Sequence, residues 1–383
     1  MIIHSPYRTL IGDEIQISAR IEMANPQARV PKELWFRFPI ASRPALDLDP
    51  FVVALLLLAM QNNEPIKLRG AISKKLFQGL GEYQKIYARW FPERFKPVNI
   101  SAESLREDSA AAMSVEACAF SGGVDSFYTF LSLLGRVAGE KSRNLTHTIF
   151  MAGFDMPLNL TSSIAELTRS YAKMMQEMGI EFIVGSTNVR GFVNTVDWTN
   201  AHGQALAATA LFFKHKLQKF YIPSSYTDDA YPQWGTHPEL DHLLSTEGME
   251  FIHHGDRANR VKKLESVSRA PESYERLRVC WIQDIGLKNC GECEKCVRTM
   301  IALEILGRRL SYTTFGTGNL PRTKIRRVNL RTYQSRIFAR ELMREALRYG
   351  RYGIFVDLSL ALLRREIFYR TAGVRSWRKI TRK

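Results

Sequence analysis

The sequence predicts an α/β fold: a parallel, five-stranded type of sheet with helices on both faces, a small α+β region before it and a helical tail after it. Three observations predict this. Between residues 115 and about 305, short apolar runs alternate with stretches of helical periodicity, and such alternation implies parallel strands joined by right-handed crossovers. The first run ends in Ser121-Gly122-Gly123-Val124-Asp125-Ser126, and an apolar helical pattern starting at Phe127 follows at once. A chain of 383 residues with 45% hydrophobic content is also long enough for one large α/β domain with additions.

Residues 1–110 read as an accessory α+β region. Residues 15–21 alternate apolar and polar, as a half-buried strand does. Residues 33–39 form a second strand ended by Pro39. Asp49 and Pro50 open an apolar helix through Met60, with proline in its first turn. A short strand at 66–69, a helix over 73–90 and a strand at 98–100 complete the region. It contains no catalytic constellation and is expected to shape the substrate or to support oligomerisation, a homodimer included.

Residues 111–305 carry the chemistry. After the glycine turn and its helix come a strand near 146–155, a helix at 163–178, a strand at 181–184, a buried helix at 203–213 and a strand at 220–223. Ligands of such sheets sit past the C-terminal ends of the strands, where the loops 121–126, 152–155 and 223–239 fall. Adjacent glycines let the backbone approach a ligand closely, and the helix that follows offers unpaired N–H groups and the positive end of its dipole to an anion. Ser121 and Ser126 add hydroxyls. The expected ligand is a phosphate or pyrophosphate. The string is neither the Walker pattern nor the dinucleotide G-x-G-x-x-G.

A second cluster follows. Cys280, Cys290, Cys293 and Cys296 form two overlapping C-x-x-C steps closed by a fourth cysteine. Zn²⁺ prefers four such thiolates, and a four-Cys site is closed and structural; an iron–sulfur cluster is the alternative. The fourth cysteine argues against a redox pair.

Formal net charge is +16. Residues 321–383 hold about eighteen Lys or Arg against about four acids and supply most of the excess. Two arginine-rich amphipathic helices are expected there, at 333–349 and 353–371, with Arg336, Arg340 and Arg344 recurring every four residues. Nucleic acid, a membrane surface or an acidic partner protein would each suit this tail. No signal peptide is read at the start, and the longest apolar stretch, 51–60, is too short to span a bilayer. The expected location is cytoplasmic.

The string S-G-G-x-D-S resembles the loop of the PP-loop (N-type) ATP pyrophosphatases, which include asparagine synthetase, GMP synthetase, tRNA-thiolating enzymes and 7-cyano-7-deazaguanine synthase. The cysteine pattern, with Gly291 and Arg298 in place, is similar to that of the 7-cyano-7-deazaguanine synthases. The resemblance covers residues 115–305 and leaves the N-terminal region and basic tail outside, so it implies a divergent relative with an adenine nucleotide alpha hydrolase-like domain. It implies that Ser121, Gly122, Gly123, Asp125 and Ser126 hold the pyrophosphate of ATP, with Asp125 on Mg²⁺. It implies that Met151, Gly153 and Phe154 read the adenine, with Asp155 toward the ribose and His202 near the nucleotide. Lys263, or Lys262 beside it, faces the phosphates. Substrate residues would come from Ser225, Tyr226, Asp229, Tyr231, His237 and Glu239. This chain departs from the pattern at Gln233-Trp234-Gly235-Thr236 and at Trp281.

The implied activity is that of an AMP-forming C–N ligase: a substrate carboxylate attacks ATP, and a nitrogen nucleophile displaces AMP. Three other readings share the fold. A nucleic-acid-modifying enzyme would use the basic tail to hold tRNA or DNA, a non-catalytic module would only bind the nucleotide, and adenylation could serve another end such as epimerisation.

Overall fold

The computed structural model describes residues 1–24, 30–109, 115–227, 231–280 and 284–364. Its strands in chain order are β1 (Ile2–Ile3), β2 (Tyr7–Ile11), β3 (Glu14–Glu22), β4 (Glu33–Pro39), β5 (Ile66–Ser73), β6 (Ile100–Arg106), β7 (Glu116–Ala119), β8 (Leu145–Ala152), β9 (Glu181–Thr187), β10 (Lys219–Pro223) and β11 (Glu250–His254). They form a single sheet in the order β11-β10-β7-β8-β9-β4-β3-β1-β5-β6, with β2 paired to β3 off this path. The last five strands of the chain are all parallel and contiguous. β7 is central to them, so the strand order reverses beside it, as in Rossmann-like folds.

The sheet has eleven strands rather than the expected five. The extension starts where β4 pairs antiparallel with β9, through Phe36 opposite Thr187 and Arg37 opposite Ser186. Side chains lengthen this short ladder. Asn188 accepts from the Trp35 amide at 2.9 Å and donates to the Glu33 carbonyl at 2.8 Å, and the Thr187 hydroxyl donates to the Trp35 carbonyl at 2.7 Å. Pattern within each strand does not reveal which edges will meet, so the N-terminal strands read as a separate region.

The helices are α1 (Asp49–Asn62), α2 (Lys74–Trp90), α3 (Val124–Leu133), α4 (Thr161–Glu177), α5 (Arg190–Val193), α6 (Trp198–Leu211), α7 (Pro238–Asp241), α8 (Arg260–Val267), α9 (Glu294–Ile305), α10 (Arg322–Arg326) and α11 (Tyr333–Arg348). Residues 352–364 add a further helix; the remainder of the helix expected at 353–371 lies outside the described residues. The chain forms two compact units. One comprises Met1–Ser121 with Thr129–Arg257, the other Gly122–Tyr128 with Ala258 onward.

The first unit holds the sheet. Helix α1 is apolar on every side and buried from Asp49 to Met60, which requires covering on all faces; α6 packs on one of them. Phe36, Phe38, Phe51, Phe212 and Phe213 meet with centroids 5.0 to 5.9 Å apart. Beside this core, Lys214 Nζ lies 2.6 to 2.9 Å from Asp47, Asp49 and Asp108, and Arg106 bonds the same three carboxylates at 2.7 to 3.0 Å. Burial, reinforced by Asp47, pushes Asp49 up to about 6. Burial also opposes ionisation of Asp47, but Lys214 and Arg106 outweigh it and lower its pKa. Removing either cation would strand buried negative charge, which is strongly destabilising.

The second unit is helical. Its core includes Leu264, Val297, Ile301, Phe338 and Leu342. A small cluster of Leu330, Ala339 and Ala361 seats the helix at 352–364. No helix among the described residues is long and apolar enough to cross a membrane.

Candidate functional site

The glycine loop follows β7, and α3 begins at Val124. Gly122 has φ of +77°, a conformation glycine adopts without the cost a Cβ would bring. The Gly123 carbonyl accepts from the Phe127 amide at 2.9 Å and from the Ser126 hydroxyl at 3.1 Å. Ser121 is exposed, while Ser126 is buried.

Asp125, in the first turn of α3, accepts from Arg260 Nη1 at 2.8 Å and lies 3.4 Å from Lys263 Nζ. Both cations come from α8. The lysine is 1% exposed and sits 5.8 Å over the Tyr128 ring, whereas Lys262 is exposed. Asn259 fixes the start of α8: its Oδ1 accepts from the Lys262 amide, and its Nδ2 donates to Glu345. Asp125 faces both cations beside the amides of a helix N-terminus, and Glu341 lies within electrostatic reach of the same two cations. Such a cluster can hold an anion, and the carboxylate can take a metal cation. Arg260 was not singled out in the sequence because it stands in a run of charges that resembles a solvated helix face.

A small cavity adjoins this cluster. It is lined by Val124, Arg260, Leu264, Arg298, Phe338 and Glu341, among others. Burial raises the pKa of Glu341, against the pull of Arg260. Arg298 stacks on Phe338 at 3.8 Å.

Met151, Gly153, Phe154 and Asp155 lie at the C-terminal end of β8, the neighbour of β7. Gly153 has φ of +89°, its amide donates to the Met156 carbonyl at 2.7 Å, and a Cβ there would overlap the Thr187 carbonyl oxygen. Asp155 accepts from Trp198 Nε1 at 2.9 Å, and Phe154 packs on the same indole. His202 donates from Nδ1 to the Trp198 carbonyl at 3.1 Å; burial lowers its pKa and favours the neutral ring.

The loop after β10 is divided among roles. Tyr226 is buried against Trp234, and its backbone is tied to the Ser224 hydroxyl. Ser225 is half-buried beside it. Tyr231 packs on His237 and His253 with centroids 4.9 and 5.5 Å away. His237 caps α7 by accepting from the Glu239 amide, and Glu239 pairs with Arg89 at the surface. Asp229 lies outside the described residues. A pair that the sequence did not flag sits here too: His253 Nδ1 is 2.7 Å from Asp241 Oδ2, and the buried His253 Nε2 has no hydrogen-bond partner among the described residues. No short motif joins positions 241 and 253; the turn of the chain after α7 brings them together.

The four cysteines of the cluster form no disulfide among the described residues. Their sulfurs all lie within 4.8 Å of one another, with Cys280 to Cys293 at 3.9 Å and Cys290 to Cys296 at 3.8 Å. Tetrahedral Zn–S bonds of about 2.3 Å place sulfurs about 3.8 Å apart, so the donor set fits a metal such as zinc. Amides of Cys290 and Cys293 point at Cys280 Sγ and Cys290 Sγ. Asn289 braces the turn by accepting from the Val279 amide and donating to the Leu277 carbonyl. Trp281 lies outside the described residues.

No protein-family model, no curated protein and no solved structure matches this chain.

Proposed function

We propose that the protein is an ATP-dependent, AMP-forming ligase of the PP-loop type, similar to 7-cyano-7-deazaguanine synthase, that adenylates a substrate carboxylate for attack by a nitrogen nucleophile. The observation that carries this reading is Asp125. It stands in the S-G-G-x-D-S turn at the start of α3 and is gripped by Lys263 and Arg260 of α8.

In this reading the amides of the glycine turn and the hydroxyls of Ser121 and Ser126 bind the pyrophosphate portion of ATP. Asp125 is the residue that would hold Mg²⁺, directly or through water, and the ion would offset phosphate charge. A carboxylate oxygen of the substrate bonds to the α-phosphorus as the bond to pyrophosphate breaks. Lys263 and Arg260 stabilise the charge that collects on the leaving group, a role of position and electrostatics. The nitrogen nucleophile then attacks the acyl carbon, and AMP departs. The cysteine cluster is closed and would be structural.

The test is pyrophosphate release from MgATP, screened across carboxylate substrates. Asp125→Ala is expected to lower it by about 100-fold or more, and Lys263→Met by a similar factor. Asp125→Asn keeps the shape of the side chain and controls for folding. Unchanged ATP-to-AMP conversion in Asp125→Ala would overturn the assignment. Nucleotide binding without pyrophosphate release would identify a binding module instead.

A further inference from the structure

The helix at 352–364 is apolar on two opposite sides. Its inner side carries Leu358 and Ala361, both buried, together with Asp357. An ordinary surface helix would turn a polar face outward. Here the outward positions are Tyr352, Val356, Leu360 and Leu363, which are 67%, 48%, 44% and 58% exposed. At 3.6 residues per turn they fall within about 80° of one another. They form a continuous stripe along the helix.

The exposed charge of the segment that carries the stripe has a single sign. Between 344 and 364 the exposed charged residues are Arg344, Arg348, Arg351 and Arg364. The acids of that segment, Glu345 and Asp357, are 3% and 0% exposed. Glu345 accepts from Asn259, and Asp357 is clamped by Arg322 and Arg326 at 2.7 and 2.6 Å. On the helical wheel Arg364 lies about 40° beyond Leu360, at one border of the stripe; Arg351, just before the helix, donates to the Ile305 carbonyl at 3.2 Å. Beyond the described residues the sequence continues in kind: residues 365–383 hold seven Lys or Arg against one acid, with Phe368, Tyr369 and Trp377 among them.

We infer that this face docks on an anionic membrane surface. An apolar stripe bordered by arginines and aromatics is what lets a helix lie in the interface, its apolar side in the acyl boundary and its cations among the headgroups. Nucleic acid would engage the arginines but leave Val356, Leu360 and Leu363 in water. The helix lies on the bilayer and does not cross it. The inference does not depend on the proposed catalytic reading, since none of these residues belongs to that machinery.

The experiment is co-sedimentation of the full chain with vesicles of phosphatidylcholine alone and of phosphatidylcholine with phosphatidylglycerol. Binding is expected only with the anionic lipid, weakening as salt is raised. Leu360→Asp with Leu363→Asp, and separately Arg344→Glu with Arg364→Glu, are each expected to weaken it by about tenfold or more. All four positions are exposed, and retained circular dichroism confirms that the variants fold. Failure to bind anionic vesicles, or equal binding to neutral ones, overturns the proposal. So does tight duplex binding that the Leu360→Asp, Leu363→Asp variant leaves unchanged, which would make this a nucleic-acid face. A lipid-independent dimer abolished by that variant would make it a self-interface and likewise overturn the proposal.

Discussion

One carboxylate between two cations gives Asp125 a double task, because the same contacts that position Lys263 and Arg260 also neutralise it. The sequence pointed to Asp125 because the S-G-G-x-D-S turn is a local motif, and it left Lys262 and Lys263 as rivals; Lys263 is buried beside Asp125, and Lys262 is exposed. Arg260 and the Asp241–His253 pair were not legible, since each acquires its setting from contacts distant in sequence. Gly153 shows the opposite case, a residue whose role is dictated by backbone. With φ of +89° and the Thr187 carbonyl oxygen where a Cβ would stand, Gly153→Ala should cost about 1–3 kcal/mol or more. Urea denaturation should show a lower midpoint at unchanged slope. An unchanged midpoint would mean that the β8 end relaxes freely, which would weaken its claim to be a rigid ligand-reading edge.

At the scale of elements, the strands β7 to β10 were readable because each is a short apolar run followed by a helical pattern; β11, Glu250–His254, was not read in the sequence. Their neighbours were harder. β2, whose five residues are all exposed, has no buried face to create an alternation, and α5 and α7 span four residues each, too few for periodicity. An amphipathic helix was expected over 353–371; its described part, within 352–364, carries apolar residues on two opposite sides, and the sequence did not show which of them faces the core. Asp357 fixes that choice. Burial opposes its ionisation, yet the bonds from Arg322 and Arg326 outweigh this and hold its pKa below the usual carboxylate range. The depressed value means its stabilisation is present above the unfolded-state pKa and is lost as pH falls through the folded one. Both arginines are about half exposed, so solvent screening limits the contribution to about 1 kcal/mol. Amide protection factors over 352–364, corrected for intrinsic exchange, should therefore be high at neutral pH and fall below about pH 4. In Asp357→Asn they should be lower at neutral pH and nearly independent of pH across that range. Identical pH profiles for the two proteins would remove Asp357 as the anchor.

For the molecule as a whole, the sheet is organised by non-local edges and the second unit by a point. Joining β4 to β9 merges the N-terminal strands with the five parallel ones, an arrangement that depends on pairing across some 150 residues and leaves no trace in local pattern. The cysteine cluster was legible from spacing alone, because two overlapping C-x-x-C steps can turn three thiols inward on a single short loop. The fourth ligand, Cys280, arrives from ten residues upstream and is held by the Asn289 brace. Four thiolates without a cation would repel one another, and four thiols would pack weakly, so a metal held by these cysteines would order the loop before α9. The expectation is one zinc per chain by elemental analysis. Its removal by a strong chelator should lower Tm by about 10 °C or more, since structural zinc contributes several kcal/mol to folding. Cys293→Ser should reproduce the loss, and added zinc should restore Tm in the chelated wild type but not in the variant. Iron with visible absorption in the purified protein would instead assign the site to an iron–sulfur cluster. A Tm indifferent to chelation would show that the second unit is held by its helices alone.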